Sequence, residues 1–217
     1  NRAELLRLMA EANDLVIGVG WLFDASMAEV SAEYPDTNFA IIDGFVDASN
    51  VASLLYAEHE GSFLVGAAAG MKTSANVIGF IGGVNFPLIN KFEAGFAAGV
   101  AQTNPDATVL VEYVTEPPDF DGFNAPDRGR EIALSMYEKG ADIIYQAAGG
   151  TGFGVFEATK SHTEDSGSKV WAIGVDSDQY NVVDDSVKEY LLTSMMKNMD
   201  VSVFDTIKAQ GEGNFQG

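Results

Sequence analysis

Few residues in this chain could do chemistry by type and spacing. There are no cysteines, which removes disulfides, thiolate metal sites and a cysteine nucleophile. The two histidines, His59 and His162, cannot by themselves build a histidine-rich metal site. His59-Glu60 lacks the second histidine of an H-E-x-x-H zinc site, because Ser62 and Phe63 follow. Asp176-Ser177-Asp178 opens like a calcium loop but has neither the glycine nor the closing glutamate of an EF-hand. Three glycine-bearing stretches remain, "GVGW" at 18–21, "GGVN" at 82–85 and "GGTGFG" at 149–154. A glycine turn between a strand and a helix lets main-chain N–H groups approach a ligand, and the helix start adds free donors. The dinucleotide pattern G-x-G-x-x-G fails at Phe23 in the first stretch and at Val155 in the last, and no G-x-x-x-x-G-K-[ST] occurs. The turns read either as ligand-facing rims or as plain tight turns.

The elements that must position these turns follow from the hydrophobic pattern. Apolar, β-branched-rich runs at 15–20, 39–43, 77–82, 108–113, 143–147, 170–175 and 191–195 predict strands. Helical periodicity between them covers 86–101, 128–139, 153–162 and 199–210. In 86–101, Leu88, Phe92, Phe96 and Val100 recur every four residues, Pro87 sits in the first turn, and Gly95 and Gly99 make a small-residue edge. Near-continuous apolar strands alternating with helices imply a doubly wound α/β chain with parallel sheets. On such sheets ligands bind beyond the carboxyl ends of the strands, where all three glycine stretches fall.

A helix rich in small residues (Gly66, Ala67, Ala68, Ala69, Gly70) followed by the polar break 72–76 suggests a crossing between two lobes. A second crossing is expected at 193–197. The expected division is 1–74 with 198–217 as the first lobe and 77–192 as the second.

The net charge of −20 argues against nucleic-acid or anionic-membrane binding, both of which need a basic face. No apolar run approaches the roughly 20 residues needed to span a bilayer. Residues 1–14 read as an amphipathic helix rather than a secretory signal.

"VIGFIGGVNFPLINKFEAGFAAGV", "GADIIYQAAGGTGFGVFEA", "AIGVDSDQ", "LLTSMMKNMD", "EHEGSFLVGAAAG" and "YPDTNFAIIDG" together resemble the basic membrane protein family. These are the PnrA-like nucleoside-binding lipoproteins of ABC importers, and the resemblance runs along essentially the whole chain. It implies a two-lobe periplasmic-binding-protein fold of type 1, truncated here at both ends, lacking the first βα unit and the final strands. It implies no catalysis, no cofactor and no metal. It further implies a purine nucleoside gripped in a cleft between the lobes, permease and ATPase partners, and a lipid anchor outside the cytoplasmic membrane.

Carried onto this sequence, the resemblance makes Phe123 the aromatic that stacks on the base, with Phe120 a competing candidate in the same acidic loop. Asp43, Asp176 and Lys197 would read the ribose hydroxyls, with Asp178 a rival for Asp176. Gly150, Thr151 and Gly152 would offer main-chain donors and one hydroxyl, and Trp21, where the family commonly has Phe, would shape the wall of the first lobe. Simpler roles stand beside these: a core-capping phenylalanine, a turn aspartate, a helix cap, a solvated lysine. The alternative use of the same module is a nucleoside-sensing regulatory or receptor domain. A nucleoside-cleaving enzyme would need a positioned acid and a nucleophile or metal, and no second carboxylate has a role in attack.

Overall fold

A computed structural model describes all 217 residues, Asn1–Gly217. The chain divides into two compact units, Asn1–Tyr56 with Asn198–Gly217, and Ala57–Lys197.

In the first unit, α1 (Arg2–Ala10) leads to β1 (Leu15–Val19), α2 (Asp24–Glu33), β2 (Asn38–Ile42) and β3 (Val51–Leu54), and α8 (Met199–Gly211) rejoins it. The three strands are parallel in the order β1-β2-β3. Met27, Val30, Phe39, Ile41 and Val51 form the core with Leu6 and Val16, α1 and α2 covering the sheet. Strand β3 is absent from the strands expected from the sequence. It is only four residues long and pairs with β2 alone.

The second unit runs α3 (Glu58–Lys72), β4 (Val77–Val84), α4 (Pro87–Thr103), β5 (Thr108–Thr115), α5 (Pro126–Glu138), β6 (Ile143–Ala147), α6 (Gly152–Ser166), β7 (Trp171–Asp176), α7 (Asp185–Lys188) and β8 (Leu191–Met196). Its five parallel strands lie in the order β5-β4-β6-β7-β8. The helices flank a sheet whose central strands β4 and β6 are buried almost throughout, as the unbroken apolar runs require. One face is an aromatic core in which Phe96 and Tyr145 meet at 4.9 Å and Phe80 and Tyr145 at 5.7 Å. Tyr145 donates to or accepts from Ser62 at 3.1 Å, and burial pushes its phenol far above the usual range, so it stays neutral. No helix is long and apolar enough to cross a membrane.

The lobe boundary differs from the expected one because of α3. A Cβ on Gly66 would lie 2.2 Å from the Phe96 carbonyl oxygen of α4, and one on Gly99 would lie 2.0 Å from that of Phe63. The two helices thus meet backbone to backbone, which only glycine permits, and α3 belongs with the second sheet. The segment 72–76 is a turn inside that unit: the Asp142 carboxylate accepts from the Thr73 hydroxyl at 2.6 Å and from the Ser74 and Ala75 amides at 2.7 and 3.0 Å. Likewise 193–196 is strand rather than connection, paired in β8 with β7.

Candidate functional site

Because every strand is parallel to its neighbours, each sheet has one carboxyl-terminal rim, and the polar residues singled out above lie on these rims. In the first unit, Gly20 (φ 101) ends β1 and opens a single helical turn, Trp21–Phe23, leaving Trp21 half-buried. The Gly20 amide donates to the Ile42 carbonyl at 2.9 Å, so Trp21 and Asp43 leave neighbouring strand ends. Asp43 follows β2 with φ 64. Behind it the Asp24 side chain closes on the next turn, and a Cβ on Gly44 would sit 2.1 Å from its Oδ1. Burial raises the Asp24 pKa, an effect only partly offset by a hydrogen bond from the Phe45 amide.

In the second unit, Asp176 ends β7 with φ 67. A left-handed non-glycine residue costs energy, and aspartate tolerates it better than most. Both Asp43 and Asp176 adopt it at equivalent strand ends, whereas Asn76 (φ 55) does so in the ordinary turn described above. The Asp176 Oδ1 lies 3.9 Å from the Lys197 Nζ, and the Lys197 amide donates to the Asp176 carbonyl at 2.9 Å. Lys197 is not a solvated surface charge. Its side chain is 3% exposed, while that of Asp176 is 40% exposed. Its ammonium stands 5.4 Å from the Phe92 ring centre and 3.8 Å from Oε1 of Glu58, a carboxylate that is itself 1% exposed. Lys91 approaches the other Glu58 oxygen at 3.5 Å. Asp178, the rival to Asp176, points its carboxylate to the Asn181 side-chain amide at 2.8 Å and serves the turn that follows.

The β5 and β6 ends carry the second cluster. Phe123 is half-buried, its ring over Gly83, where a Cβ would come within 2.5 Å, and edge-on to Phe86 at 6.2 Å. Phe120 is half-buried three residues earlier. Gly149 (φ 55) and Gly150 run beside the Phe123 carbonyl, so the loop and the glycine turn form one wall.

Thr151 departs from the expectation of a ligand-facing hydroxyl. It is fully buried, its Oγ1 donating to the Gly122 carbonyl at 2.7 Å and accepting from the Ala125 amide at 2.8 Å. It fastens the Phe123 loop to the glycine turn. Gly152 is also buried, and a Cβ there would lie 2.3 Å from the Gln146 side-chain amide. Of the three positions, Gly150 alone is partly exposed.

Sequence reasoning missed four residues around this rim. Gln146 is fully buried in β6, accepts from the Ala148 amide at 3.0 Å and donates to Gln179 Oε1 at 2.8 Å. That same oxygen accepts from the Val175 amide at 2.8 Å, and the Gln179 amide donates to Ser194 at 3.1 Å. The pair ties the ends of β6, β7 and β8 together, which sets where the glycine turn and Asp176 stand. A glutamine inside the apolar run "IIYQA" was the available signal for Gln146. Glu58 gave none, because a charged residue at a helix start is ordinarily solvent-facing, and Lys91, 49% exposed, reads as any surface lysine.

The site therefore offers a half-exposed carboxylate backed by a buried ammonium, a half-buried aromatic ring and a main-chain turn. No cluster of side chains suited to holding a metal is present. Carboxylate and ammonium can take and give charge-assisted hydrogen bonds to a neutral, hydroxylated ligand.

The model of PnrA-like ABC transporter substrate-binding proteins matches residues 2–217. A CD4+ T-cell-stimulating antigen of Listeria monocytogenes is 42% identical over 94% of this chain and 57% of its own length. The ABC transporter nucleoside-binding protein BmpA of Lactococcus lactis subsp. cremoris is 34% identical over 94% of this chain and 58% of its own. The chain thus spans somewhat over half the length of these relatives. Among solved structures, a solute-binding protein of an ABC transporter system from Aeropyrum pernix K1 superimposes with a TM-score of 0.84 at 27% identity, covering 100% of this chain and 60% of that one. Two parallel sheets with polar rims, matched end to end by one family model, place this chain in the PnrA-like family of ABC transporter substrate-binding proteins, a family of binding proteins rather than enzymes.

Proposed function

We propose that this protein captures a purine nucleoside for an ABC importer outside the cytoplasmic membrane, delivering it to a permease driven by an ATPase, with a lipid anchor as its tether. The observation that carries this reading is the half-exposed Asp176 carboxylate backed by the buried Lys197 ammonium, on the same rim as Phe123. Asp176 accepts from the vicinal hydroxyls of the ribose, and Lys197 balances the charge. Phe123 stacks on the base, a contact worth about 1–3 kcal/mol. Gly150 presents its main chain. The nucleoside-binding name of the Lactococcus relative supports the ligand class.

Calorimetric titration with adenosine, guanosine, inosine and their 2′-deoxy forms tests this. At least one purine nucleoside binds with micromolar or tighter affinity, and the deoxy form binds at least about tenfold more weakly, because it leaves a carboxylate oxygen unpaired. Asp176→Ala and Phe123→Ala each weaken binding without unfolding the protein. Silence toward every nucleoside, with binding of a sugar or peptide instead, overturns the reading.

A further inference from the structure

We propose that Glu58 is a positioning residue for the site: it anchors the Lys197 ammonium so that the Asp176 carboxylate remains available to a ligand. This rests on the nucleoside reading above.

Lys197 sits between two carboxylates of opposite character. Glu58, at the first turn of α3, is 1% exposed, with Oε1 3.8 Å from Nζ, whereas Asp176 is 40% exposed at 3.9 Å. A buried acid cannot turn away into water, while a half-exposed one can. Glu58 is therefore the fixed partner, and Asp176 the one that turns to a ligand hydroxyl when it arrives.

The surroundings of Glu58 also favour its charged form. Lys91 lies 3.5 Å from Oε2, so two ammonium groups face the one Glu58 carboxylate. The chain has only twelve basic residues against thirty-two acidic ones, and two of the twelve converge on this single buried acid. The positive end of the α3 dipole adds to its stabilisation. Without Glu58, Lys197 loses the fixed carboxylate 3.8 Å from its ammonium and is drawn further onto Asp176. The oxygen lone pairs meant for the ligand would be drawn onto the lysine, whose flexible stem would no longer be held.

A merely structural Glu58 predicts a different result, and a double-mutant cycle on affinity separates the two. Inosine, adenosine and guanosine are titrated to millimolar concentration against wild type, Glu58→Gln, Lys197→Met and the double variant. Glu58→Gln weakens the tightest of the three by about tenfold or more in the wild-type background. In the Lys197→Met background it changes affinity less than about twofold, since the group it acts through is gone. Should Glu58→Gln fail to fold, Glu58→Asp keeps the charge, withdraws it by one methylene, and obeys the same rule. The Lys197 ε-methylene NMR signal, recorded without nucleoside and assigned by Lys197→Met, shifts in Glu58→Asp. Equal losses in both backgrounds, or an unmoved ε-methylene signal, overturn the role of Glu58 while leaving the nucleoside site intact. A wild type silent toward all three nucleosides overturns the site reading itself, and this inference with it.

Discussion

Replacing Thr151 by valine removes one hydroxyl and almost no volume, so it isolates what that hydroxyl does. The oxygen spans 2.7 Å to the Gly122 carbonyl and 2.8 Å from the Ala125 amide, in a residue with no solvent exposure. Valine leaves a donor and an acceptor stranded. Each unsatisfied group costs about 1–3 kcal/mol, and because Ala125 is half-buried and regains some water, about 2–4 kcal/mol is expected in total. Serine keeps the hydroxyl and loses the γ-methyl, which packs so closely under Gly129 that a Cβ there would lie 2.7 Å from it. That loss costs about 1 kcal/mol. Hydrophobicity alone would rank valine as the milder change, and the hydrogen bonds reverse the order. For a chain of this size 1 kcal/mol moves the melting temperature by about 2–4 °C, which puts the valine variant about 5–15 °C below wild type. Trp171 is in the second unit and Trp21 in the first, so fluorescence melts in a Trp21→Phe background follow the relevant unit. A valine variant within about 0.5 kcal/mol of wild type, or a serine variant that melts lower than valine, refutes the reasoning.

Two further outcomes are expected. The folded Asp24 pKa lies above its ordinary value of 3.8, so the native state holds this proton more tightly than the unfolded chain. The contribution is favourable below the unfolded pKa and is lost as pH rises through the folded one. Asp24→Asn therefore stabilises the protein at neutral pH, and urea melts find the advantage gone near about pH 3. An advantage that persists unchanged in acid contradicts the assignment. Gly99→Ala gains about 1 kcal/mol of helix propensity but drives a methyl into the Phe63 carbonyl, 2.0 Å away, so a net loss of about 1–3 kcal/mol is expected in thermal denaturation. A higher melting temperature rules out the close packing of α3 on α4.

Much of the architecture was legible before any coordinates, because hydrophobic periodicity is a local property. The strand ends at Asp43 and Asp176 could be located from where apolar runs stop, and a parallel sheet then puts them on a rim. Strand β3 escaped because four residues bordered by Asn50 and Leu55 carry too little alternation to register as a strand. The small-residue face of α3 was readable in "GAAAG", yet its partner α4, met backbone to backbone, was not.

By itself the sequence determined the α/β class, the strand ends that carry the polar residues, and the absence of thiol chemistry, since each depends on residue type and short-range spacing. Tertiary structure alone decided which way those side chains face and what they meet. It turned the Thr151 hydroxyl inward, buried Lys197 beside Glu58, which is 139 positions away in the chain, and gave Asp43 and Asp176 their left-handed backbone. Partners so distant in sequence meet only when the strands and helices between them have packed, and no local pattern encodes that meeting.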